Sequence, residues 1–181
     1  MRELPILYTP RLILRAPCLD DLDALALAMQ DEETCRYIGG CQPRAMVWRA
    51  LMSLIGAWHA TGVSMFSVLR RDSGEWIGRI GPWQPEAWPG PEVGWTLVRS
   101  SWGQGYAQEA AQACMDYVVD VLGWQQIIHT IDPGNIPSQK LAQRLGSRCL
   151  GPGRLPPPHQ LAPVEIWGQS AEEWRARRAA G

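Results

Sequence analysis

The sequence predicts a mixed α/β fold in which a central sheet of about six to seven strands is flanked by about four helices. Three consecutive segments, residues 63–70, 76–83 and 92–98, alternate apolar and polar residues as strands do. Longer segments before and after them repeat apolar residues with the helical period. Because only turns and one loop separate the three strands, we expect them to form an antiparallel meander.

Size and composition fit a single domain that spans residues 1–181. Of the 181 residues, 46% are hydrophobic, which is enough for a sizeable core. The formal net charge of -1, from 17 basic and 18 acidic residues, gives no electrostatic basis for binding nucleic acid or an anionic membrane. No apolar run approaches the length of a membrane span. We therefore expect a cytoplasmic protein.

The cysteines form an odd set of five without a Cys-x-x-Cys pair, namely Cys18, Cys35, Cys41, Cys114 and Cys149. This pattern argues against a disulfide framework and against a zinc cluster. We expect free thiols, as in a reducing compartment, and no metal site.

The first part of the chain is predicted to hold one strand and two helices. Residues 12–16 have the pattern of a short strand, after which Asp20 or Asp21 is placed to cap a helix. Pro43 begins a second helical pattern that ends near Gly62.

The segment from Val93 to Val121 has the order strand, glycine turn, helix. Gly103 and Gly105 lie in the turn, and from Ala107 onward apolar residues recur at helical spacing up to Val121. The first turn of a helix carries main-chain N–H groups without internal partners and the positive end of the helix dipole. Since glycine has no Cβ, a ligand can approach the main chain closely. The turn therefore predicts an anion site, most often one for phosphate.

Two common phosphate-binding patterns do not fit this turn. The nucleotide P-loop requires a lysine directly after its last glycine, and Tyr106 follows Gly105. The dinucleotide pattern requires a third glycine, and Gln108 stands at that position. Both are excluded.

Beyond the central helix, residues 126–132 have the pattern of a strand with apolar residues on both faces, which places it inside the sheet. His129 lies in this strand without a motif partner, so we interpret it as a hydrogen-bonded structural histidine. Asn135 then opens a helix, and residues 148–150 begin another strand.

Two stretches of the C-terminal part are predicted to be irregular. Residues 151–160 contain too many prolines for regular structure, and we interpret them as an ordered loop. Residues 175–181 are expected to form a frayed, basic tail.

Several motifs resemble those of the GCN5-related N-acetyltransferase (GNAT) family. Trp102 to Ala107 is similar to its pyrophosphate-binding motif, which is usually Gln or Arg, two residues, Gly, one residue, then Gly or Ala. Thr-Pro-Arg-Leu from Thr9, Asn-Ile-Pro-Ser from Asn135 with the later Leu-Gly, and Val-Glu-Ile-Trp from Val164 resemble segments of the subgroup that acetylates ribosomal-protein N-termini. The resemblance spans residues 9–174 in the family's order.

This resemblance implies an acetyl-CoA-dependent N-acetyltransferase with a mostly antiparallel sheet that is splayed in the middle. The pantetheine arm would pair with the strand edge at Leu97 and Val98, where a main-chain N–H would polarise the acetyl carbonyl. Asn135 would bind the arm, and Ser138 would supply a proton to the departing sulfur. The pyrophosphate would lie on the main-chain N–H groups of Gly103, Gln104, Gly105, Tyr106 and Ala107.

The general base and the acceptor pocket are assigned from charge and position. Glu92, at the start of the central strand, is the first candidate for the base, because a partly desolvated carboxylate there can accept a proton from the ammonium group. Glu165 on the last strand is the second. Trp83 and Trp88 are candidates for an aromatic wall of the acceptor pocket.

Two departures from the family pattern leave alternatives open. Trp102 stands where the family has Gln or Arg, and Ala142 stands where many acetyltransferases have a tyrosine. The chain is therefore either a transferase or a catalytically silent acetyl-CoA-binding or interaction module of the same fold, with an unrelated α/β domain as a third interpretation. The acceptor is open between a protein N-terminus and a small amine such as an amino acid, polyamine or aminoglycoside. Monomer and homodimer are both compatible with the sequence.

Overall fold

The computed structural model describes residues 4–180. The strands in this part of the chain are β1 (Ile6–Tyr8), β2 (Leu12–Arg15), β3 (Phe66–Arg70), β4 (Trp76–Trp83), β5 (Glu92–Leu97), β6 (Gln126–Ile131), β7 (Arg148–Gly153) and β8 (Val164–Ser170). The α-helices are α1 (Leu22–Ala28), α2 (Glu32–Cys35), α3 (Arg44–Thr61), α4 (Tyr106–Asp120), α5 (Ile136–Arg144) and α6 (Ala171–Ala180). None of these helices is both long and apolar enough to cross a membrane.

All eight described strands belong to one sheet, in the order β1-β2-β3-β4-β5-β6-β8-β7. Neighbouring strands are antiparallel except β5 and β6, which are parallel and joined by the crossover helix α4. The predicted mixed α/β fold is confirmed, and so is the meander of β3, β4 and β5. The structure adds β1, the short α2 and α6 to the predicted elements.

The sheet is open between β5 and β6. These strands share one residue pair, Glu92 with Ile128, where the Ile128 N–H donates to the Pro91 carbonyl at 2.9 Å. Two residues further along β6, the N–H of Thr130 donates instead to the Glu92 carboxylate at 3.1 Å. A side chain thus takes the place that a β5 carbonyl would hold, and the strands separate beyond it. This is the splay that the family resemblance implied.

Different helices cover the two faces of the sheet. Val93 and Leu97 of β5 belong to the core cluster that contains the buried side of α4. On the other face, α1, α2 and α3 form a second cluster that packs against Trp76 at the start of β4. Because side chains alternate along a strand, Glu92 and the other even-numbered residues of β5 face the layer of α1, α2 and α3.

The expectation of a frayed tail is wrong for residues 175–180, which belong to α6. Trp174 is buried in the main core, and its indole N–H donates to Asp116 of α4 at 3.0 Å. Arg178 donates to Asp116 and to Asp120, each at 2.6 Å. These contacts hold the helix against α4. The predicted last residue of the tail, 181, lies outside the described residues.

Two smaller expectations are also corrected. Strand β7 extends to Gly153, so the proline-rich segment begins inside the sheet. Prolines within a sheet are found on edge strands, where one side of the strand has no ladder, and β7 is such a strand. Val121 was expected to face inward, yet it is 69% exposed because α4 ends at Asp120.

Candidate active site

The start of α4 offers main-chain N–H groups that have no protein acceptor. Gly105 is the N-cap residue with a left-handed φ of 81°, and Gly103 has a φ of 72°. Within residues 4–180, the N–H groups from Gly103 to Ala107 donate to no carbonyl or side chain. Gly103, Gln104 and Gly105 are exposed, so a ligand can reach them. Together with the helix dipole, these groups make the predicted anion site.

Arg11 adds a positive charge at this turn. Its guanidinium donates to the Gln104 carbonyl at 2.9 Å and lies 4.5 Å from the centre of the Tyr106 ring. One guanidinium nitrogen is 3.2 Å from the place where a Cβ on Gly105 would sit. The arginine therefore both fixes the turn and borders the space that an anion would occupy.

Glu109 holds Arg11 in this position. Its carboxylate accepts from the Arg11 side chain at 2.6 Å and from the Thr9 hydroxyl at 2.6 Å. Burial raises the pKa of Glu109, but the hydrogen bonds from Thr9 and Arg11 outweigh it and keep the pKa below its ordinary value. The segment from Thr9 to Arg11, which is part of the family resemblance, thus connects the start of β2 to the glycine turn.

The edge of β5 that borders the opening is set by the ladder to β4. The Val98 N–H donates to the Ile77 carbonyl at 2.9 Å, so it points toward β4. Main-chain groups alternate along an antiparallel strand, and those of Trp95 and Leu97 consequently point toward β6. Of the two predicted main-chain donors, Leu97 faces the opening and Val98 does not. Trp95, which no sequence motif marked, faces it as well.

Side chains already occupy two carbonyls on this edge. The Leu97 carbonyl accepts from the Trp102 indole at 2.8 Å, and the Val93 carbonyl lies 2.7 Å from Nδ1 of His129. Trp102, which replaces the Gln or Arg of the family motif, thus lies at the border of the opening. Between these two contacts, the N–H and carbonyl of Trp95 and the N–H of Leu97 remain available to an extended ligand.

Asn135 and Ser138 lie at the start of α5, on the same side of the sheet as Trp95. The side-chain oxygen Oδ1 of Asn135 caps the helix by accepting from the Ser138 N–H at 3.2 Å. The side-chain nitrogen Nδ2 of Asn135 is left for other partners. The Trp95 indole donates to the Ser138 hydroxyl oxygen at 3.1 Å. With its oxygen held in this way, the Ser138 hydroxyl can turn its own proton toward a ligand.

Glu92 lies on the opposite face of the opening and is only 6% exposed. Its carboxylate accepts from the Thr130 N–H and hydroxyl, at 3.1 Å and 3.0 Å, and from the Trp88 indole. Burial raises the pKa of Glu92 from 4.5 to about 7, against the effect of these hydrogen bonds. Such a pKa suits a group that exchanges protons near neutral pH.

The two predicted pocket tryptophans are close together. Trp83 and Trp88 pack edge to face with ring centres 6.4 Å apart, and Trp88 also contacts Glu92. Glu165 lies elsewhere, on β8 opposite Ile131, and accepts from the Trp167 indole at 3.2 Å. Among the described residues, no hydrogen bond links Glu165 to the other predicted site residues.

His129 is buried and hydrogen-bonded on both ring nitrogens. Nδ1 donates to the Val93 carbonyl, and Nε2 accepts from the Ser147 hydroxyl at 2.9 Å. Burial lowers the pKa of His129 from 6.5 to about 4, so the ring is neutral at pH 7. These contacts agree with the structural interpretation of this histidine.

The opposite pKa shifts of His129 and Glu92 predict two opposing contributions to the free energy of unfolding in acid, which partly cancel in wild type. As the pH falls below 6.5, the unfolded chain protonates the histidine but the native protein does not until about pH 4, so stability is lost. Below about pH 7 the native protein protonates Glu92 while the unfolded chain does so only near 4.5, so stability is gained. In Glu92→Gln the gain disappears, and the free energy of unfolding should fall by about 2–3 kcal/mol more than in wild type between pH 7 and 4.5.

Urea unfolding at several pH values measures this difference. His129→Gln is the matched variant, because its stability should instead rise, relative to wild type, as the pH falls through 7. The same pH dependence in Glu92→Gln and in wild type would show that the Glu92 pKa is not raised.

Together these features make the opening between β5 and β6 the candidate active site. The family model of the acetyltransferase (GNAT) domain matches residues 11–148. The chain belongs to this family and is an acetyltransferase.

Individual proteins support this membership. The uncharacterized N-acetyltransferase p20 of Bacillus licheniformis is 34% identical over 149 residues, which are 80% of this chain and 83% of p20. An acetyltransferase structure from Agrobacterium tumefaciens strain C58 has a TM-score of 0.80 at 27% identity and covers 93% of this chain and 96% of its own. A ribosomal-protein-alanine acetyltransferase from Vibrio fischeri has a TM-score of 0.73 at 16% identity, covers 94% and 98%, and shows the shared fold alone.

Proposed function

We propose that the protein transfers an acetyl group from acetyl-CoA to a primary amine by direct attack in a ternary complex. The observation that carries this proposal is the set of unpartnered N–H groups from Gly103 to Ala107 beside the opening between β5 and β6. Bound there, acetyl-CoA supplies an activated acyl group as a thioester. The residues fit this ligand, because a diphosphate matches the N–H groups and the Arg11 charge, and an extended arm matches the free edge of β5.

The two sides of the opening divide the work. Trp95 and Ser138 lie on the side of α4 and α5, so we assign this side to the thioester. Glu92 lies on the side of α1, α2 and α3, where the amine would enter. With a pKa of about 7, a buried Glu92 can take the proton from an ammonium group before the amine attacks. An N-terminal amine, whose pKa is near 8, requires only a modest base of this kind.

Main-chain N–H groups on the β5 edge would stabilise the carbonyl oxygen. Those of Trp95 and Leu97 point into the opening and need no rearrangement, which is the requirement for stabilising a developing negative charge. Ser138 would relay a proton to the departing sulfur: its hydroxyl gives its proton to the sulfur and accepts the second proton of the attacking nitrogen, while the Trp95 indole occupies one lone pair of its oxygen.

The function is tested by incubating the purified protein with acetyl-CoA and a panel of amines, and by measuring thiol release together with a gain in acceptor mass of one acetyl group. The panel contains peptides with free N-termini, amino acids, polyamines and aminoglycosides. Turnover with any of these supports the transferase. Tight binding of acetyl-CoA without turnover on the whole panel would instead identify the silent binding module, and no binding at all would contradict both.

Ser138→Ala should lower kcat roughly tenfold to a hundredfold while the Kd for acetyl-CoA stays within about twofold of wild type, because a proton donor is lost but the anion site is kept. Stopped thiol-release assays and calorimetry measure the two quantities. Ser53→Ala, on the exposed side of α3, is the matched control. An unchanged kcat in Ser138→Ala would remove its proposed role.

A further inference from the structure

Arg79 is a charged residue in the middle of the central sheet. It lies on β4, where its partners are Ser67 on β3 and Thr96 on β5. Directly paired residues share a face, so Arg79 lies on the face that also carries Glu92. This is the face to which we have assigned the amine.

The Arg79 side chain has no counter-charge among residues 4–180. Its Nε is enclosed and has no hydrogen-bond partner, and the guanidinium forms no ion pair there. The ionisable group that acts on the pKa of Arg79 is the Cys35 thiol. Burial raises the pKa of that thiol to about 11, so it is neutral. A guanidinium stays charged at physiological pH, and a partly buried cation without a counter-charge favours binding of an anion.

The neighbouring arginine in the same row shows the contrast. Arg15, which pairs with Ser67 from the other side, forms an ion pair with Asp21 at 2.6 Å. Asp21 also accepts from the Ser67 hydroxyl at 2.7 Å. The Asp21 carboxylate is therefore already bound by Arg15 and Ser67, so it does not neutralise Arg79.

The position of Arg79 suits contact with the acceptor. Its partner Thr96 lies between Trp95 and Leu97, whose N–H groups border the opening, and adjacent strands are about 4.8 Å apart. Arg79 is partly exposed despite its enclosed Nε. A second group on the acceptor would therefore lie on the same side of the sheet as the guanidinium.

We propose that Arg79 binds a carboxylate of the acceptor, so that the preferred substrates are primary amines that also carry a carboxylate. The planar fork of a guanidinium matches a carboxylate in two parallel hydrogen bonds. The carboxylate belongs to a free amino acid or to an acidic residue near a peptide N-terminus. Polyamines and aminoglycosides, which are cationic, would be repelled. This inference rests on the proposed function.

The test compares kcat/KM for matched acceptors, corrected for the fraction of neutral amine. One pair is an amino acid and its amide, and the other is a peptide with Asp or Asn as its second residue. Wild type should prefer the carboxylate in one of these pairs by roughly tenfold to a hundredfold, and the pair that shows it identifies the source. Arg79→Gln should lose this preference and keep the rate with the amide or Asn acceptor within about threefold.

Arg79→Lys keeps the charge without the fork and should retain only part of the preference, which provides a second variant if Arg79→Gln does not fold. Arg49→Gln, an exposed arginine on α3, is the control and should behave as wild type. Equal rates for both members of each pair in wild type, or an undiminished preference in Arg79→Gln, would overturn the proposal.

Product binding separates this inference from the proposed function. Calorimetry with the acetylated products of both pairs needs no turnover, and in one pair wild type should bind the member with the carboxylate at least about tenfold more tightly, a difference that Arg79→Gln loses. If no amine is acetylated but this difference is found, the catalytic proposal fails and the carboxylate site stands. If turnover is found without the difference, only the carboxylate site fails.

Discussion

Gly105→Glu should abolish acetyl-CoA binding, raising its Kd at least about a hundredfold. Gly105 has a φ of 81°, where a residue with a Cβ is strained, and the Cβ of the added side chain would lie 3.2 Å from the Arg11 guanidinium. The new side chain would thus neutralise the arginine and place a negative charge where the diphosphate is proposed to bind. Calorimetry with acetyl-CoA measures the effect directly.

Two further variants separate charge from strain. Gly74→Glu introduces the same residue at a φ of 73°, in a turn where no atom lies within 4 Å of the added Cβ, and should leave binding unchanged. Gly105→Ala keeps the strain without the charge and should weaken binding much less than Gly105→Glu. Wild-type affinity in Gly105→Glu would show that the anion site is not at the start of α4.

Glu92→Gln should lower kcat by roughly two to three orders of magnitude, because glutamine keeps the shape of the side chain but cannot accept the ammonium proton. In wild type, kcat should rise with pH and level off above about 7, since a base acts only in its deprotonated form and burial raises the Glu92 pKa to about 7. This dependence should disappear in the variant. Steady-state rates at saturating acetyl-CoA and saturating amine isolate the enzyme's own group when the amine has a pKa near 10 and so stays an ammonium group over the whole range.

The comparison variants for this prediction replace two other glutamates by glutamine. Glu86→Gln lies in the same loop as Trp88, is exposed, and should match wild type. Glu165→Gln tests the second candidate and should keep both the rate and the pH dependence within a few-fold. A pH dependence that persists in Glu92→Gln and vanishes in Glu165→Gln would transfer the role to Glu165.

Periodicity and turn chemistry were sufficient to predict most of the fold. The pattern of β4 gave its bounds, residues 76–83, and Pro43 and Gly62 flank α3 as its caps. The short β1 and α2 were missed because three or four residues carry too little periodic signal. Strand β7 was cut short because its prolines argued against regular structure, and only the sheet order shows that it lies at an edge.

The candidate site could be predicted only where one local segment builds it. The turn from Gly103 to Ala107 is such a segment, and the helix cap at Asn135 is another. Contacts between distant segments have no local signal, so the hydrogen bond from Trp95 to Ser138 and the hydrogen bond from Thr130 to Glu92 appear only in the structure. For Arg79 a signal exists, since an arginine in the middle of an apolar strand requires an explanation.

The hydrogen bond between Glu92 and the Thr130 N–H has one more consequence. The same carboxylate props two strands apart and, in the proposed reaction, takes up the proton of the incoming amine. Protonation of Glu92 would therefore weaken the hydrogen bond that keeps β5 and β6 apart at the moment when the substrate is activated. Shape and reactivity of this enzyme are coupled through a single side chain, and aspartate, one methylene shorter, would have to give up one of the two tasks.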